Sequence, residues 1–463
     1  MIAPARLAAY EVLRSVGSGT VDLGTALARV RQKLPDERDR ALVGEIATGT
    51  LRWQGAFDHV IAAFANRPFE KLDVEVVDIL RLTMFQLLHL DRIPASAAVK
   101  DAVDLTGKTG KRSAGGLVNA VLRRISRERE RLPLPRRPEA GDDRDAAIAY
   151  LAATLSHPEW LTTRWYDRHG LADAEAWARF NNSPAPLTLR ANTLKTTRDE
   201  LMRLLASRGV ETEAASHAPE GLVVRSGNPL TTSLDEEGLF VVQDEASQLV
   251  ALYADARPGQ RVLDACASPG GKTTAMAAAM DGTGLVIACD VRGRRVELLS
   301  RTVRRSGAPN IRIVGADATA APAFVPGFDR VLLDAPCSGL GTVRRDPDIK
   351  WRRTAADLPA LADAQLVMLR QAASAVAPGG VVIYATCSSE PEENDGVVDR
   401  FLAVEAGFRA ERPAAPHRAL GTDSAGRGPA CLGSGHARGD DSRTRRPRRP
   451  RLGGGPRPRL RLR

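Results

Sequence analysis

The 463-residue sequence is poor in cysteine and in aromatic residues, and it contains no long apolar run. It has five widely scattered cysteines, and aromatic residues make up only 4% of it. An odd, scattered set of cysteines predicts no disulfide framework, and without CxxC pairs or histidine clusters no metal site is expected. No apolar run reaches the length of a membrane span, and the charged residues in MIAPARLAAYEVLRSVG argue against a signal peptide. We therefore expect a soluble protein of the reducing cytoplasm, without membrane contact.

The net charge of +10 comes entirely from the C-terminal part of the sequence. Residues 411–463 contain fourteen arginines and four acidic residues, so residues 1–410 carry no net charge. The same part has no lysine and few large apolar residues, a composition typical of disorder. We predict a basic, low-complexity tail over 411–463. Its abrupt start is also typical of GC-rich DNA read out of frame, so a frameshift near Pro413–Leu420 is the second interpretation.

Apolar periodicity divides the rest of the chain into four segments. Residues 1–135 show helical spacing throughout, and 136–147 form a polar, proline-bearing linker. Residues 148–237 mix helical and strand patterns, which predicts a small α+β subdomain. From 238 to 410 apolar strands alternate with helices, which predicts a parallel sheet covered on both faces. The predicted fold class is therefore multidomain: an all-α domain, an α+β subdomain and an α/β, Rossmann-like domain.

Polar motifs follow the strands of the predicted parallel sheet. VLDACASPGGKTT combines a strand, a glycine-bearing loop and a helix start. Its glycines do not have the spacing of a P-loop or a dinucleotide fingerprint, but such a loop directs N–H groups at a carboxylate or phosphate. Asp290 and Asp317 close the next two strands, where an acidic residue can bind ribose hydroxyls. Each aspartate alone is well explained as a cap or turn residue, but together with the loop they favour an adenosine ligand.

Two cysteines also close strands of this sheet. Cys387 ends VIYATC, and Cys337 follows Asp334 in DRVLLDAPC. A buried strand cysteine is ordinarily a small hydrophobe, but the carboxyl ends of parallel strands are where open α/β sheets bind ligands. Residues 389–392 predict a capping box with a proline in the first helical turn. A helix N-terminus favours a thiolate whereas the neighbouring acids oppose one, so the direction of the Cys387 pKa stays open.

In combination, DACASPGGKTT, DAPCSGLGTVRRDPDIKW and YATCSSEPEEN closely resemble the motifs of the NOL1/NOP2/Sun RNA cytosine-5 methyltransferases. VVQDEASQLV and LRANTLK resemble the same family, and the helical front with LVNAVLRR resembles a NusB-type RNA-binding domain. The pairing, over residues 1–405, is similar to the bacterial Sun/Fmu subgroup. It implies methylation of 16S ribosomal RNA, at cytosine 967 in the family's numbering. We expect a monomer that acts on 16S rRNA or a small-subunit assembly intermediate, and not on DNA.

The resemblance also implies roles for individual residues. In this family the Thr-Cys cysteine, here Cys387, is the nucleophile that adds to carbon 6 of cytosine, because carbon 5 alone is too poor a nucleophile. The Pro-Cys cysteine, here Cys337, is associated with product release. Asp334 hydrogen-bonds the base and supports protonation of its ring nitrogen. S-adenosylmethionine is the expected cofactor, and its expected binding residues are Cys266, Ala267, Ser268, Pro269, Gly270, Gly271, Lys272, Asp290, Asp317 and Asp334.

Several alternatives stay open. A DNA-type cytosine-5 methyltransferase would use Cys337 as its nucleophile, but the PPCQ context is absent. An amino-group methyltransferase would need an aromatic residue that DAPC lacks. The chain could also be an RNA-binding factor with an inactive methyltransferase domain, or modify another RNA. The basic run Gly107–Arg137 is either an RNA-binding face or only a solvated one. Family members end in a strand pair with a DGFF-like segment, which 411–463 lacks, so we expect a sheet without its final strands.

Overall fold

The computed structural model describes residues 2–139, 143–291, 293–321, 324–411 and 459–462. By its internal contacts the chain forms two compact units. The first comprises residues 1–185 and 339–357, and the second comprises residues 186–338 and 358–463. The predicted domain boundaries stay predictions, because contacts group residues by proximity and not by independent folding. Residues 412–458 of the predicted tail lie outside the described residues.

The first unit is helical, as the apolar spacing predicts. Its helices are α1 (Pro4–Gly17), α2 (Leu23–Arg31), α3 (Glu37–Arg52), α4 (Gln54–Phe64), α5 (Val74–His89), α6 (Ala95–Lys108), α7 (Gly115–Arg127), α8 (Arg144–Ala149) and α9 (Glu159–Asn182). The apolar faces of α1–α7 share one core, which includes Leu80 and Leu122. Asp73 directly precedes α5, but its side chain pairs with Lys111 at 2.9 Å and does not cap the helix. Among the described residues, no helix combines the length and apolarity needed to cross a membrane.

A small antiparallel sheet begins the second unit. Its strands are β1 (Thr188–Ala191), β2 (Glu211–Ala214), β3 (Gly221–Ser226) and β4 (Phe240–Val242), in the order β2-β3-β1-β4. Helix α10 (Arg198–Ser207) buries Leu201 and Leu205 in the core of this sheet. The α+β prediction is therefore confirmed. Strands β2 and β4 were not predicted, because β2 is polar and largely exposed and β4 has only three residues.

A seven-stranded parallel sheet forms the centre of the second unit, and its order is β10-β11-β9-β8-β5-β6-β7. Its strands are β5 (Arg261–Asp264), β6 (Leu285–Asp290), β7 (Ile311–Gly315), β8 (Phe328–Asp334), β9 (Val376–Ala385), β10 (Arg409–Glu411) and β11 (Arg459–Leu462). The remaining helices are α11 (Glu245–Ala254), α12 (Gly271–Ala279), α13 (Gly293–Ser306), α14 (Ile349–Arg352) in the first unit, α15 (Asp357–Ser374) and α16 (Asp395–Val404).

Both faces of the central strands β5, β6, β8 and β9 are largely buried, which explains their uninterrupted apolar runs. Leu332 and Ile383 belong to a core with residues of α11, α12 and α13. Their neighbours Val331 and Val382 belong to a second core, with residues of α15 and α16. Successive side chains of a strand point to opposite faces, so alternate residues supply the two cores. This is the Rossmann-like architecture that the strand-helix alternation predicts.

Five residues of the predicted tail belong to the sheet: Glu411 ends β10, and residues 459–462 form β11. Strand β11 lies between β10 and β9 and pairs in parallel with both. Leu460 is fully buried in the core that faces α15 and α16, and Arg459 forms an ion pair with Glu411 at 3.3 Å. The expectation of a sheet without its last strands is therefore corrected for residues 459–462. Their alternation of arginine and leucine suits a strand with one buried face, a local signal that the composition of the whole tail hides.

Residues 339–357 pack against helices of the first unit, although the resemblance places residues 339–351 in a methyltransferase motif. The Lys350 side chain is fully buried, and its Nζ donates to the carbonyl oxygens of Arg52 (2.9 Å) and Ser156 (2.5 Å). The Trp351 indole N–H donates to the carbonyl oxygen of Leu51 at 2.6 Å. The segment DAPCSGLGTVRRDPDIKW is therefore divided between the two units. Its residues up to Ser338 belong to the second unit, and its residues from Gly339 onward belong to the first.

Candidate active site

The parallel sheet itself brings most of the predicted site residues to one edge. Strands β9, β8, β5 and β6 are consecutive neighbours, so their carboxyl ends lie side by side. Cys387 follows β9, Asp334 and Cys337 lie at the end of β8, and Asp290 ends β6. The register aligns Asp334 with Ala385, and the N–H of Ala335 donates to the carbonyl oxygen of Ala385 at 2.8 Å. The two cysteine loops therefore leave the sheet at the same level.

The two cysteine sulfurs are in contact. Sγ of Cys337 lies 3.0 Å from Sγ of Cys387, and the backbone N–H of Cys387 donates to Sγ of Cys337 at 3.3 Å. Both cysteines are reduced and form no disulfide bond; the Cys387 residue is exposed and Cys337 is partly buried. A substrate atom that reaches one sulfur is therefore within a few ångströms of the other.

The pKa of Cys387 is lowered from its ordinary value, which answers the question that the sequence left open. The hydrogen bond with Cys337 is the largest lowering effect, and the charge of Lys272 assists it. Desolvation of the Cys387 sulfur by the surrounding residues and the charge of Asp334 act in the opposite direction. The predicted capping box is wrong: Pro391–Glu393 forms one 3₁₀ turn without a side-chain cap, and α16 begins only at Asp395. The lowered pKa of Cys387 therefore depends on the neighbouring thiol of Cys337 and not on a capped helix.

Replacing Cys337 with alanine is expected to raise the pKa of Cys387. The variant removes the hydrogen bond that stabilises the thiolate, so the fraction of thiolate falls at a given pH. The pH dependence of alkylation of the Cys387 peptide by iodoacetamide, followed by mass spectrometry, measures this shift. The matched control is Cys289→Ala, a buried β6 cysteine, which should leave the midpoint unchanged. An equal midpoint in the Cys337→Ala variant would contradict the assigned cause.

A partly buried ion pair lies beside the thiols. Nζ of Lys272 is 2.6 Å from Oδ2 of Asp334, and the two side chains are 17% and 30% exposed. Lys272 is the second residue of α12, and Asp334 is the last residue of β8. A charge-assisted bond of this length is among the stronger hydrogen bonds in proteins. It orients the Asp334 carboxylate at the sheet edge.

The loop from Cys266 to Lys272 connects β5 to α12 and is tied to the neighbouring strand. The N–H of Ala267 donates to the carbonyl oxygen of Cys289 at 2.8 Å, and the Ser268–Pro269 peptide bond is cis. Gly270 has a φ of +106°, and a Cβ there would lie 3.0 Å from Leu299 Cδ1. The loop thus needs glycine at this position, and it directs the first N–H groups of α12 toward the sheet edge.

The two predicted ribose-binding aspartates have different surroundings. The Asp290 carboxylate is buried and accepts hydrogen bonds from the N–H groups of Ser268 (3.1 Å) and Val291 (2.9 Å) and from Arg295 (2.9 Å). The Asp290 carboxylate is therefore bonded to the loop Cys266–Lys272. Asp317 is exposed and accepts from the backbone N–H of Thr319 at 2.8 Å, a contact that lowers its pKa. Its carboxylate caps its own turn.

Sequence reasoning missed one strand-end aspartate. Asp264 closes β5, is fully buried, and accepts a hydrogen bond from Thr273 Oγ1 at 2.7 Å. Burial, assisted by the charge of Asp334, raises the pKa of Asp264 to about 7. The same strand-end argument that singled out Asp290 and Asp317 applies to Asp264, so the signal was present in the sequence.

The hydrogen-bond donors and acceptors at this edge suit S-adenosylmethionine. Carboxylates such as Asp290 accept from ribose hydroxyls, and the free N–H groups at the start of α12 suit a carboxylate. Within the described residues, no group of three or more His, Cys, Asp or Glu side chains is arranged to hold a metal ion. The edge thus combines two thiols with an adjacent set of groups appropriate to an adenosine ligand.

Family models match three successive parts of the chain. Residues 3–127 match the NusB family, and residues 157–231 match the ferredoxin-like domain of RsmF/B-like methyltransferases. Residues 251–422 match the model for 16S rRNA methyltransferase RsmB/F.

Whole-chain similarity supports the same grouping. The chain is 38% identical to ribosomal RNA small subunit methyltransferase B of Pseudomonas putida over 411 residues, which cover 87% of the chain and 90% of the relative. It is 35% identical to the probable ribosomal RNA small subunit methyltransferase B of Bacillus subtilis over 377 residues, 81% of the chain and 82% of the relative. The crystal structure of PH0851 matches with a TM-score of 0.73 and 28% identity, over 88% of the chain and 90% of that structure.

Proposed function

Since the chain belongs to the RsmB/F family of S-adenosylmethionine-dependent methyltransferases, we propose that it methylates carbon 5 of a cytosine in 16S ribosomal RNA. The proposed position is cytosine 967 in the family's rRNA numbering. The observation that carries the proposal is the pair of sulfurs, 3.0 Å apart, at the edge where Asp334 and Lys272 also meet. Cytosine C5 chemistry needs one thiol to activate the base, and a second group nearby helps to release it.

The first proposed step is activation of the base by Cys387. Its thiolate adds to carbon 6, and the electrons of the C5–C6 double bond move so that carbon 5 becomes nucleophilic. Asp334, held by Lys272, hydrogen-bonds the base and stabilises protonation at its ring nitrogen. The lowered pKa of Cys387 supports this role, because the thiolate is the nucleophilic form.

The second step is release of the methylated base. Carbon 5 has then taken the methyl group, with S-adenosylhomocysteine as the leaving group, and still carries its proton. A base takes that proton, the C5–C6 double bond forms again, and the bond between Cys387 Sγ and carbon 6 breaks to release the thiolate. Cys337, whose sulfur is in contact with that of Cys387, is the proposed residue that assists this elimination.

The proposed cofactor site is the loop Cys266–Lys272 with Asp290, Asp317 and Asp334. Bound S-adenosylmethionine supplies an electrophilic methyl group at this edge. Gly270 and Gly271 form the backbone turn, while Asp290 is oriented by Ser268 and Arg295. Asp317 lies apart from the hydrogen bonds of this loop, because its carboxylate is exposed and accepts from Thr319 in its own turn.

The proposal is tested by incubating the protein with methyl-labelled S-adenosylmethionine and unmodified 16S rRNA or small-subunit particles. Digestion of the RNA to nucleosides should give labelled 5-methylcytidine. Label in an amino-methylated nucleoside would instead favour the amino-group chemistry. Label in another RNA alone would replace the substrate, and no label in any RNA would favour a binding factor with an inactive methyltransferase domain.

The helical front is the proposed RNA-recruiting surface. Lys108, Arg112 and Arg127 are exposed at the ends of α6 and α7 and in the turn between them. Lysine and arginine contacts to phosphates release counterions, which makes binding salt-dependent.

Changing Lys108, Arg112 and Arg127 together to glutamine is expected to weaken RNA binding and to flatten its salt dependence. Three lost phosphate contacts should reduce the slope of log K against log salt by about 2. Fluorescence anisotropy with a 16S rRNA fragment, at several salt concentrations, measures both quantities. The matched control changes Arg29, Lys33 and Arg38, which are also exposed on the helical unit. Equal slopes for the two triple variants would indicate that the basic run is an ordinary solvated face and not an RNA-binding one.

A further inference from the structure

One buried carboxylate contacts both cysteine loops. Glu393 is fully buried. Its Oε1 accepts hydrogen bonds from the backbone N–H of Ser338 at 2.8 Å and from Nε2 of Gln365 at 2.9 Å. Its Oε2 accepts from the hydroxyl of Ser388 at 2.5 Å. Three donors from three separate segments therefore converge on one side chain.

The two serines that Glu393 binds are the residues that directly follow the cysteines. Ser338 follows Cys337, and Ser388 follows Cys387. The hydroxyl oxygens of these serines are also 3.1 Å apart, within hydrogen-bond distance of each other. A displacement of either loop would break a bond to Glu393, so the position of each loop is coupled to that of the other.

Rigid elements hold the carboxylate in turn. Nε2 of Gln365, on α15, also donates to the carbonyl oxygen of Pro336 at 3.0 Å. The Tyr384 hydroxyl, on β9, lies 2.7 Å from the carbonyl oxygen of Glu393 and 3.1 Å from Oε1 of Gln365. A buried carboxylate is costly unless it is hydrogen-bonded, and here all three donors to its oxygens come from outside the 3₁₀ turn that carries it.

We propose that Glu393 is a positioning residue that holds Cys337 and Cys387 in register, a role that rests on the proposed cytosine C5 methylation. Glu393 acts through the two loops and does not touch the base. Its carboxylate sets the separation of the sulfurs, and so the geometry in which one thiol attacks and the other assists release. An error of about 1 Å in such a geometry can cost on the order of a hundredfold in rate.

The test measures the register of the thiols directly and without RNA. Diamide oxidises two adjacent thiols to a disulfide: the sulfurs lose two electrons and two protons, and the reagent's N=N bond takes them up as a hydrazine. The rate of Cys337–Cys387 disulfide formation, followed by mass spectrometry of the full chain, reports how well the sulfurs are aligned, because disulfide geometry is specific. The kcat and the KM for S-adenosylmethionine are measured in parallel.

Three variants remove the hydrogen bonds of the carboxylate to different extents. Glu393→Ala removes all three, and Glu393→Gln keeps the shape but loses the charge. Ser388→Ala removes one of the three, together with the contacts of that hydroxyl to Ser338 and to the N–H of Glu390. Asp399→Asn is the control, since Asp399 is exposed on α16. We expect disulfide formation to slow about tenfold or more in Glu393→Ala, with kcat lower by about a hundredfold and the KM for S-adenosylmethionine nearly unchanged. Glu393→Gln and Ser388→Ala should give intermediate losses, and the control none.

Two results would overturn the positioning role. One is disulfide formation at the wild-type rate in Glu393→Gln and Ser388→Ala. This result would overturn the positioning role even if Glu393→Ala fails to fold. The other is a fall in kcat with no change in disulfide formation, because Glu393 would then act by another route. A wild-type protein that methylates no RNA would refute the proposed function, but its disulfide rates would still test the alignment of the thiols.

Discussion

Replacing Cys387 with alanine is expected to abolish both methylation and every covalent protein–RNA species. Without its sulfur nothing adds to carbon 6, so carbon 5 stays a poor nucleophile. Replacing Cys337 with alanine leaves attack and methyl transfer possible but impairs elimination. A protein–RNA adduct should therefore accumulate in the Cys337→Ala variant when S-adenosylmethionine is present, and it should survive denaturing electrophoresis as a slow band.

The double variant and a third cysteine complete this experiment. Changing both Cys337 and Cys387 should abolish the slow band, because the covalent link runs through Cys387. Cys289→Ala, in a buried strand position, should behave like the wild type. An adduct in the Cys387→Ala variant would reverse the two roles and favour the DNA-type assignment. Full activity of both single variants would reduce the two cysteines to packing residues.

Replacing Asp334 with asparagine is expected to lower kcat by about a hundredfold or more, as is typical for the loss of a positioned acid–base group. The amide can still accept a hydrogen bond from Lys272, so the variant removes the charge more than the position. Lys272→Met should cost less, about tenfold, because Asp334 stays in place but loses the 2.6 Å bond that orients it.

Initial rates of methyl transfer at saturating S-adenosylmethionine measure both effects. Asp363→Asn serves as the control, since Asp363 is exposed and its ion pair with Arg400 lies on the surface, where such pairs contribute little. A wild-type kcat for Asp334→Asn would exclude Asp334 from the chemistry. A larger loss for Lys272→Met than for Asp334→Asn would assign the lysine its own contact with a substrate.

The carboxyl edge of the sheet could be predicted because its signal is local. Cys387 and Asp334 each end an uninterrupted apolar run, and parallel strands place such ends together. The neighbouring order of β9 and β8 then brings Cys337 and Cys387 into contact. A strand-end argument therefore needs only the apolar pattern and the direction of the strands.

Contacts between distant segments could not be predicted in this way. Glu393 reaches Ser338 across 55 residues and Gln365 across 28, and the sequence showed only an acidic residue near a thiol. Lysine is normally a surface residue, but Lys350 is fully buried in the helical unit. Such placements depend on tertiary register, which neither periodicity nor composition records.

The most direct test of the central claim identifies which sulfur attacks the base in the unaltered protein. A 16S rRNA substrate carrying 5-fluorocytidine at the target position keeps the adduct in place, because a fluorine at carbon 5 cannot leave as a proton does. After reaction with S-adenosylmethionine, the protein is digested and the peptide that carries the nucleotide is sequenced by mass spectrometry. The proposed mechanism predicts the nucleotide on Cys387, in the peptide YATCSSEPEEN. A nucleotide on Cys337, or no adduct with a substrate whose unfluorinated form is methylated, would contradict it.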